Sequence, residues 1–184
     1  PKEIGVSEYF AKWLYDSRKN GGGAIMDFGC YGAEWALWLK GRPARVLATA
    51  QKLKVEQHND VDDDSTIVLD YPDATAVIEA SWNWPYSMGQ VQVFGPKGSL
   101  LATRDELFFR SANESGTKAG LEGQRVTLNP VPRETSNPIS YFIDCIRHDK
   151  PIEDPVSAKL NVQVLEILDA ARESVRTGRP QELR

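Results

Sequence analysis

Asp27, Tyr31 and Glu34 are the residues whose types and spacing suit proton chemistry. They lie in the run Gly21-Gly22-Gly23-Ala24-Ile25-Met26-Asp27-Phe28-Gly29-Cys30-Tyr31-Gly32-Ala33-Glu34. On a helix, positions four apart share a face and lie about 6 Å apart along the axis. A carboxylate and a phenol so placed could bind a hydroxyl group and take its proton. Glu34, three residues further on, continues the stripe. Gly29 and Gly32 each cost a helix up to about 1 kcal/mol relative to Ala, which suggests that something approaches this helix closely. The same residues have a plainer reading: the glycines allow tight helix packing, and Asp27 caps or pairs with a neighbour.

Trp82 and Trp84 are two apart, so in a strand they share a face. Such a pair could stack on a sugar, line a subunit interface, or belong to the core. Asp60, Asp62, Asp63 and Asp64 form an acidic cluster. It lacks the turn Gly and the distal Glu of an EF-hand loop, so it reads as a solvated loop entering a strand, with contact to a partner subunit as the alternative. The two histidines, His58 and His148, have no Cys or His at ligand spacing, and no zinc site or other metal site is expected. No Gly-x-Ser-x-Gly elbow supports a serine hydrolase.

The elements that must position these residues follow from periodicity and punctuation. Ser7 to Asp16 reads as a short amphipathic helix capped by Ser7. Ser17 to Gly23 is a break, because three consecutive glycines do not make a helix interior. A second helix runs from Ala24 to about Lys40 and stops at Gly41-Arg42-Pro43. Strands follow over Val46–Val55, Thr66–Tyr71, Thr75–Trp82, Gln90–Phe94, Leu100–Thr103, Leu107–Arg110 and Arg125–Leu128. Tyr71-Pro72-Asp73-Ala74 and Gly95-Pro96-Lys97-Gly98 read as their tight turns. The polar segment Ala112–Gly123 reads as a loop. Two helices close the chain, one from Pro138 to about His148 and one from near Pro155 to Gly178. This order predicts an α+β fold: one open, mostly antiparallel sheet with helices packed on one face.

At 184 residues the chain is near the size of one domain, and residues 1–184 are read as a single unit. Its composition is that of an ordinary globular protein, 41% hydrophobic and 26% charged. A net charge of −4 makes nucleic acid and anionic membranes poor partners. No apolar run approaches a membrane span. Cys30 and Cys145 lack metal-ligand spacing and suit a reducing cytoplasm. The chain opens on Pro1 and not Met, as a fragment, a processed product or a trimmed chain would.

The run from Gly21 to Gly41 resembles the signature of the glucose-fructose oxidoreductase / inositol dehydrogenase / rhizopine-catabolism (Gfo/Idh/MocA-type) family. That signature is three Gly, then Asp, then Gly-x-His or Gly-x-Tyr, an acidic residue, and Trp-Leu-x-Gly. Trp13 and Asp16 fit it, as do Trp82-Asn83-Trp84-Pro85, Phe94-Gly95-Pro96-Lys97-Gly98-Ser99-Leu100 and the stretch from Tyr141 to Leu183. The resemblance therefore spans nearly the whole chain.

The resemblance implies the C-terminal α+β domain of an NAD(P)-dependent oxidoreductase acting on a sugar, cyclitol or similar hydroxy compound. The family's catalytic Asp and His-or-Tyr positions fall on Asp27 and Tyr31, and Glu34 falls where an Asp is common. Trp82 and Trp84 are the candidate substrate contacts. The open sheet face implies a homo-oligomer. Two family features are absent from the sequence: a Gly-x-Gly-x-x-Gly following a strand, and the Glu-Lys-Pro motif with its catalytic lysine, since Lys150-Pro151 follows a helix. NAD or NADP is thus expected to serve the intact enzyme and not to bind this chain alone. The chain by itself is expected to be inactive. The alternative is a free-standing, non-catalytic dimeric binding module of the same fold. A hydrolase or lyase built on Asp27 and Tyr31 stands third.

Overall fold

Alternating burial along three neighbouring strands sets up the first of two compact units. β1 (Arg45–Gln51), β2 (Asp64–Tyr71) and β3 (Ala74–Ser81) pair antiparallel, and β2 buries every second residue: Ser65, Ile67, Leu69 and Tyr71. That period-two pattern gives the sheet one apolar face that must be covered. In the computed structural model, which describes residues 6–56, 60–86, 89–112, 123–132 and 135–183, two helices cover it. They are α4 (Gly29–Lys40) and α6 (Ala158–Thr177). Their inward residues Ala33, Leu37, Leu160, Val164, Ile167, Leu168 and Ala171 join Val46, Ile67, Leu69 and Ile78 of the sheet in one core.

This unit comprises Pro1–Asn83 and Cys145–Arg184, so the chain's two ends build it together. β8 (Gln181–Glu182) returns to pair with β1, completing the order β3-β2-β1-β8. α6 is capped by Ser157, whose hydroxyl accepts from Leu160 N–H, and closes on Gly178 at φ 66°. Tyr71 at the end of β2 donates its hydroxyl to Gly41 O at 3.0 Å, tying the sheet to the end of α4.

Three short helices precede α4. α1 (Glu8–Leu14) is capped by Ser7 as its sequence predicts. α2 (Ser17–Asn20) is a single turn inside the segment expected to be a plain break, with Asp16 as its cap. α3 (Ala24–Asp27) and α4 divide what reads in sequence as one helix, with Phe28 at φ −111° between them. The division has a packing cause. Ala24 and Phe28 face a second apolar cluster with Leu14, Val61 and Trp82, whereas α4 serves the main core.

The second unit, Trp84–Asp144, contains an antiparallel sheet in the order β4-β5-β6-β7. Its strands are β4 (Val91–Gly95), β5 (Gly98–Ala102), β6 (Leu107–Ser111) and β7 (Gln124–Arg125). Pro96-Lys97 makes the two-residue turn between β4 and β5. α5 (Pro138–His148) begins in this unit, at the proline expected to open it. The α+β, antiparallel architecture holds. Among the described residues the expected single sheet is instead two four-stranded sheets. β3 stops at Ser81, and the described residues between it and β4 form no strand; Pro85 there has no N–H to give a ladder. Of the expected loop over Ala112–Gly123, residues 113–122 lie outside the described residues, as does His58.

Gly29 and Gly32 admit the protein's own sheet. A Cβ on Gly32 would stand 2.4 Å from Ile78 Cγ2, and one on Gly29 would stand 3.0 Å from Ile67 Cδ1. Gly32→Ala should therefore destabilise the fold by about 1–3 kcal/mol through overpacking, despite Ala's better helix propensity. The shift of the urea midpoint checks this, and a stabilised variant would contradict the contact between α4 and β3.

Candidate active site around Asp27

Two adjacent aspartates before β2 build the site. Asp62 and Asp63 lie just before β2, and their carboxylates bind different stretches of backbone. Asp62 accepts from Gly23 N–H at 2.9 Å and Ile25 N–H at 2.8 Å, while its carbonyl accepts from Ala24 N–H at 2.9 Å. It thus holds the first turn of α3. Gly23 has to be glycine here, because a Cβ would stand 1.7 Å from Asp62 O. Asp63 is fully buried, at 0% exposure. Its carboxylate accepts from Leu53 N–H and Lys54 N–H, each at 2.8 Å. Its carbonyl accepts from Trp82 N–H at 2.8 Å and Asn83 Nδ2 at 3.2 Å. Asp60 accepts from the amide and hydroxyl of Ser17, which hold its carboxyl below the usual range.

The acidic cluster is therefore not the solvated loop its composition suggests. Three of its four carboxylates are bound to hydrogen-bond donors of the chain itself. Composition conceals this, because a buried acid paired to backbone amides and a solvated one look alike in sequence.

Held in this way, α3 presents Asp27 to Trp82, whose Nε1–H donates to Asp27 Oδ2 at 2.9 Å. Trp82 is only 6% exposed and its ring tilts against Tyr15, with centroids 5.8 Å apart. The shared-face argument for Trp82 and Trp84 fails, because β3 ends at Ser81, before both. Trp82 is a core residue of the first unit with its polar edge on Asp27, and it offers no open face for stacking. Trp84 is half-buried and opens the second unit.

Burial pushes the Asp27 carboxyl above its usual value, and the Trp82 hydrogen bond pulls it back down. Cys30 donates its thiol to Asp27 O at 3.4 Å. Burial, then the Asp27 charge, push that thiol up. Tyr31 is 61% exposed on α4. The charge that neighbouring Cys30 carries once ionised, then partial burial, then the charges of Asp27 and Glu34 push its phenol above the ordinary value. Burial also raises Glu34. Asp27, Cys30, Tyr31 and Glu34 thus form one electrostatic cluster in which the accumulation of negative charge favours the protonated phenol. The helix break between Asp27 and Tyr31 does not separate them.

Gly21 to Gly23 do not make a dinucleotide cradle. They lie between two helical turns rather than after a strand. The Gly23 and Ile25 amides, which a phosphate would need, are already taken by the Asp62 carboxylate. These residues do not fit a nicotinamide dinucleotide. Among the described residues no group of His, Cys, Asp or Glu gathers as a metal site would, and no helix is long and apolar enough to cross a membrane.

An α+β unit whose glycine-rich turn leads to an Asp–Tyr pair has solved relatives. Residues 4–101 match the GFO/IDH/MocA C-terminal domain, and the chain belongs to that family. It is similar in fold to an aldose-aldose oxidoreductase from Caulobacter crescentus solved with glycerol. That match has TM-score 0.72 and 23% identity, over 93% of this chain and 50% of the other. It is similar to an oxidoreductase from Agrobacterium radiobacter solved with NAD+, L-tartaric acid and magnesium, at TM-score 0.68 and 18% identity, over 96% of this chain and 53% of the other. An NAD binding oxidoreductase from Klebsiella pneumoniae gives TM-score 0.72 and 18% identity, over 94% of this chain and 54% of the other. The chain therefore spans about half the length of these relatives, and the likeness is one of fold. Curated proteins give no match to the sequence.

Asp27 carries a stability cost with a defined pH dependence. Its folded value lies above its unfolded one, so the folded chain holds the proton more tightly. The associated stability is present at low pH and is lost as pH rises through the folded value. Asp27→Asn should raise the melting temperature at neutral pH, and the gain should shrink to nothing as pH falls through the Asp27 titration. Thermal melts of both proteins across pH check this.

Proposed function

We propose that this chain is the substrate-binding and oligomerisation domain of an NAD(P)-dependent oxidoreductase acting on a sugar, cyclitol or related hydroxy compound. The observation that carries this reading is the Asp27–Tyr31 cluster, with Asp27 oriented by a buried donor and Tyr31 exposed beside it. The glycerol and L-tartaric acid bound by two of the fold's relatives are small hydroxy compounds and agree with such a substrate. A nicotinamide dinucleotide, held by the rest of the whole protein, would supply the hydride acceptor. Within this chain, Asp27 binds a substrate hydroxyl and orients the carbinol. Tyr31 takes the hydroxyl proton as the carbonyl forms.

A phenol raised by its anionic neighbours is a poor base at neutral pH. Its deprotonation requires a cation brought by the rest of the protein, and this is why the chain alone is read as inactive. Trp84, half-buried, remains a candidate substrate contact, while Trp82 serves through Asp27. The free thiols Cys30 and Cys145 fit a reducing cytoplasm.

In the full-length enzyme Tyr31→Phe should lower kcat by about a hundredfold or more, the usual worth of a positioned acid–base group, with a much smaller change in KM. Steady-state kinetics across polyols check this, and unchanged turnover would refute the assignment.

Oligomer formation through an uncovered sheet face is supported by cross-strand apolar rows. On the face of the first sheet away from its helices, Leu47, Val68 and Val77 lie side by side in register, with Val77 60% exposed. Val93, Leu100 and Phe109 form a like row in the second sheet. Apolar rows of this kind mark association surfaces. Val77→Asp should convert the oligomer to smaller species in analytical ultracentrifugation without loss of helix signal.

A further inference from the structure

We infer that Trp82 is a positioning residue for the reaction: its indole N–H fixes Asp27 by engaging Oδ2 and leaves Oδ1 to the substrate hydroxyl. The inference rests on the reading of Asp27 as a substrate-binding carboxylate and adds a residue that acts through it. Three observations carry it. The donor is immobile: Trp82 N–H is tied to Asp63 O at 2.8 Å, and its ring is buried against Tyr15, Leu14, Ala24 and Val61. The acceptor is immobile too, because the Asp62 carboxylate holds the Gly23 and Ile25 amides at the start of the single-turn helix that ends on Asp27. Between them runs one hydrogen bond of 2.9 Å to one oxygen, and no described residue donates to Oδ1.

A half-buried carboxylate with one oxygen engaged cannot spin about its Cβ–Cγ bond without losing that bond. The second oxygen is then aimed, and aim is what substrate positioning requires. The titratable groups that bear on the pair are Cys30, Tyr31 and Glu34 from α4, Asp62 and Asp63 from the segment before β2, and the amino terminus, whose charge pulls the Asp27 carboxyl down. None of these supplies Asp27 with a second side-chain donor. Trp82 also favours the carboxylate over the acid, because an N–H donor stabilises only the charged form's lone pairs fully.

The experiment reads the pair directly. The 184-residue chain carries five tryptophans, hence five indole N–H signals in a 15N-labelled sample. The Trp82 signal is assigned by its loss in Trp82→Phe, or by its proximity to the Tyr15 ring should that variant not fold. It should move with pH in one step whose midpoint lies above the ordinary Asp value of 3.8, and Asp27→Asn should remove the step. A signal that stays flat, or a step that survives in Asp27→Asn, overturns the proposal.

In the full-length enzyme, Trp82→Phe should move the acid limb of kcat/KM to higher pH and lower kcat more than it raises KM. An equal loss at every pH is what a purely structural role predicts, and it would overturn the positioning role. If Asp27→Asn leaves turnover intact while the indole step is present, the oxidoreductase assignment of Asp27 falls and the Trp82–Asp27 pairing stands.

Discussion

The candidate site depends on two neighbouring carboxylates that bind different stretches of backbone. Asp62 reaches the amides of the glycine-rich turn, and the buried Asp63 reaches those of Leu53 and Lys54. Hydrogen bonds to a charged acceptor are worth roughly 1.5–3 kcal/mol each, and an unpaired buried carboxylate is far more costly than that. The chain is thereby committed to delivering the amides of Gly23, Ile25, Leu53 and Lys54 to these two groups. Once they are delivered, α3 and Trp82 have little freedom left, and Asp27 meets the indole as a consequence.

The same arrangement sets where the candidate residues sit. α4 must lie close to the sheet, which Gly29 and Gly32 allow by leaving room for Ile67 and Ile78. Tyr31, next to Gly32, then lies outside the contact and is exposed. Asp27, half-buried, gains an ordered environment at the cost of an ionisation opposed by burial. Such opposition between stability and function is expected where a polar group is kept ready for a ligand. The phenol beside it is pushed above its ordinary value, so the proposed acid–base role would call for a cation from elsewhere.

Much of the fold was legible in the residues. The Ser7 cap, the stops at Gly41 and Gly178, the Pro72-Asp73 and Pro96-Lys97 turns and the alternation of β2 are local signals, and each led to the element it implies. The division of the sheet and of the helix was not legible, because Ser81 and Phe28 carry no local stop signal. Strand pairing and the choice between two apolar clusters decide there. β8 was missed for the same reason: two residues carry no periodicity, and only the return of the chain's end to β1 makes them a strand.

The sequence by itself determined the class of elements, their order and the glycine-rich run that bears Asp27 and Tyr31, because caps, turns and periodicity act within a few residues. Only the tertiary structure decided that Asp62 and the buried Asp63 clamp backbone amides and that Trp82 turns its indole N–H on Asp27. Asp62 lies 37 residues from Ile25 and Trp82 lies 55 residues from Asp27. At such separations the partner of a polar group is chosen by the packing of the whole unit, which no window of sequence contains.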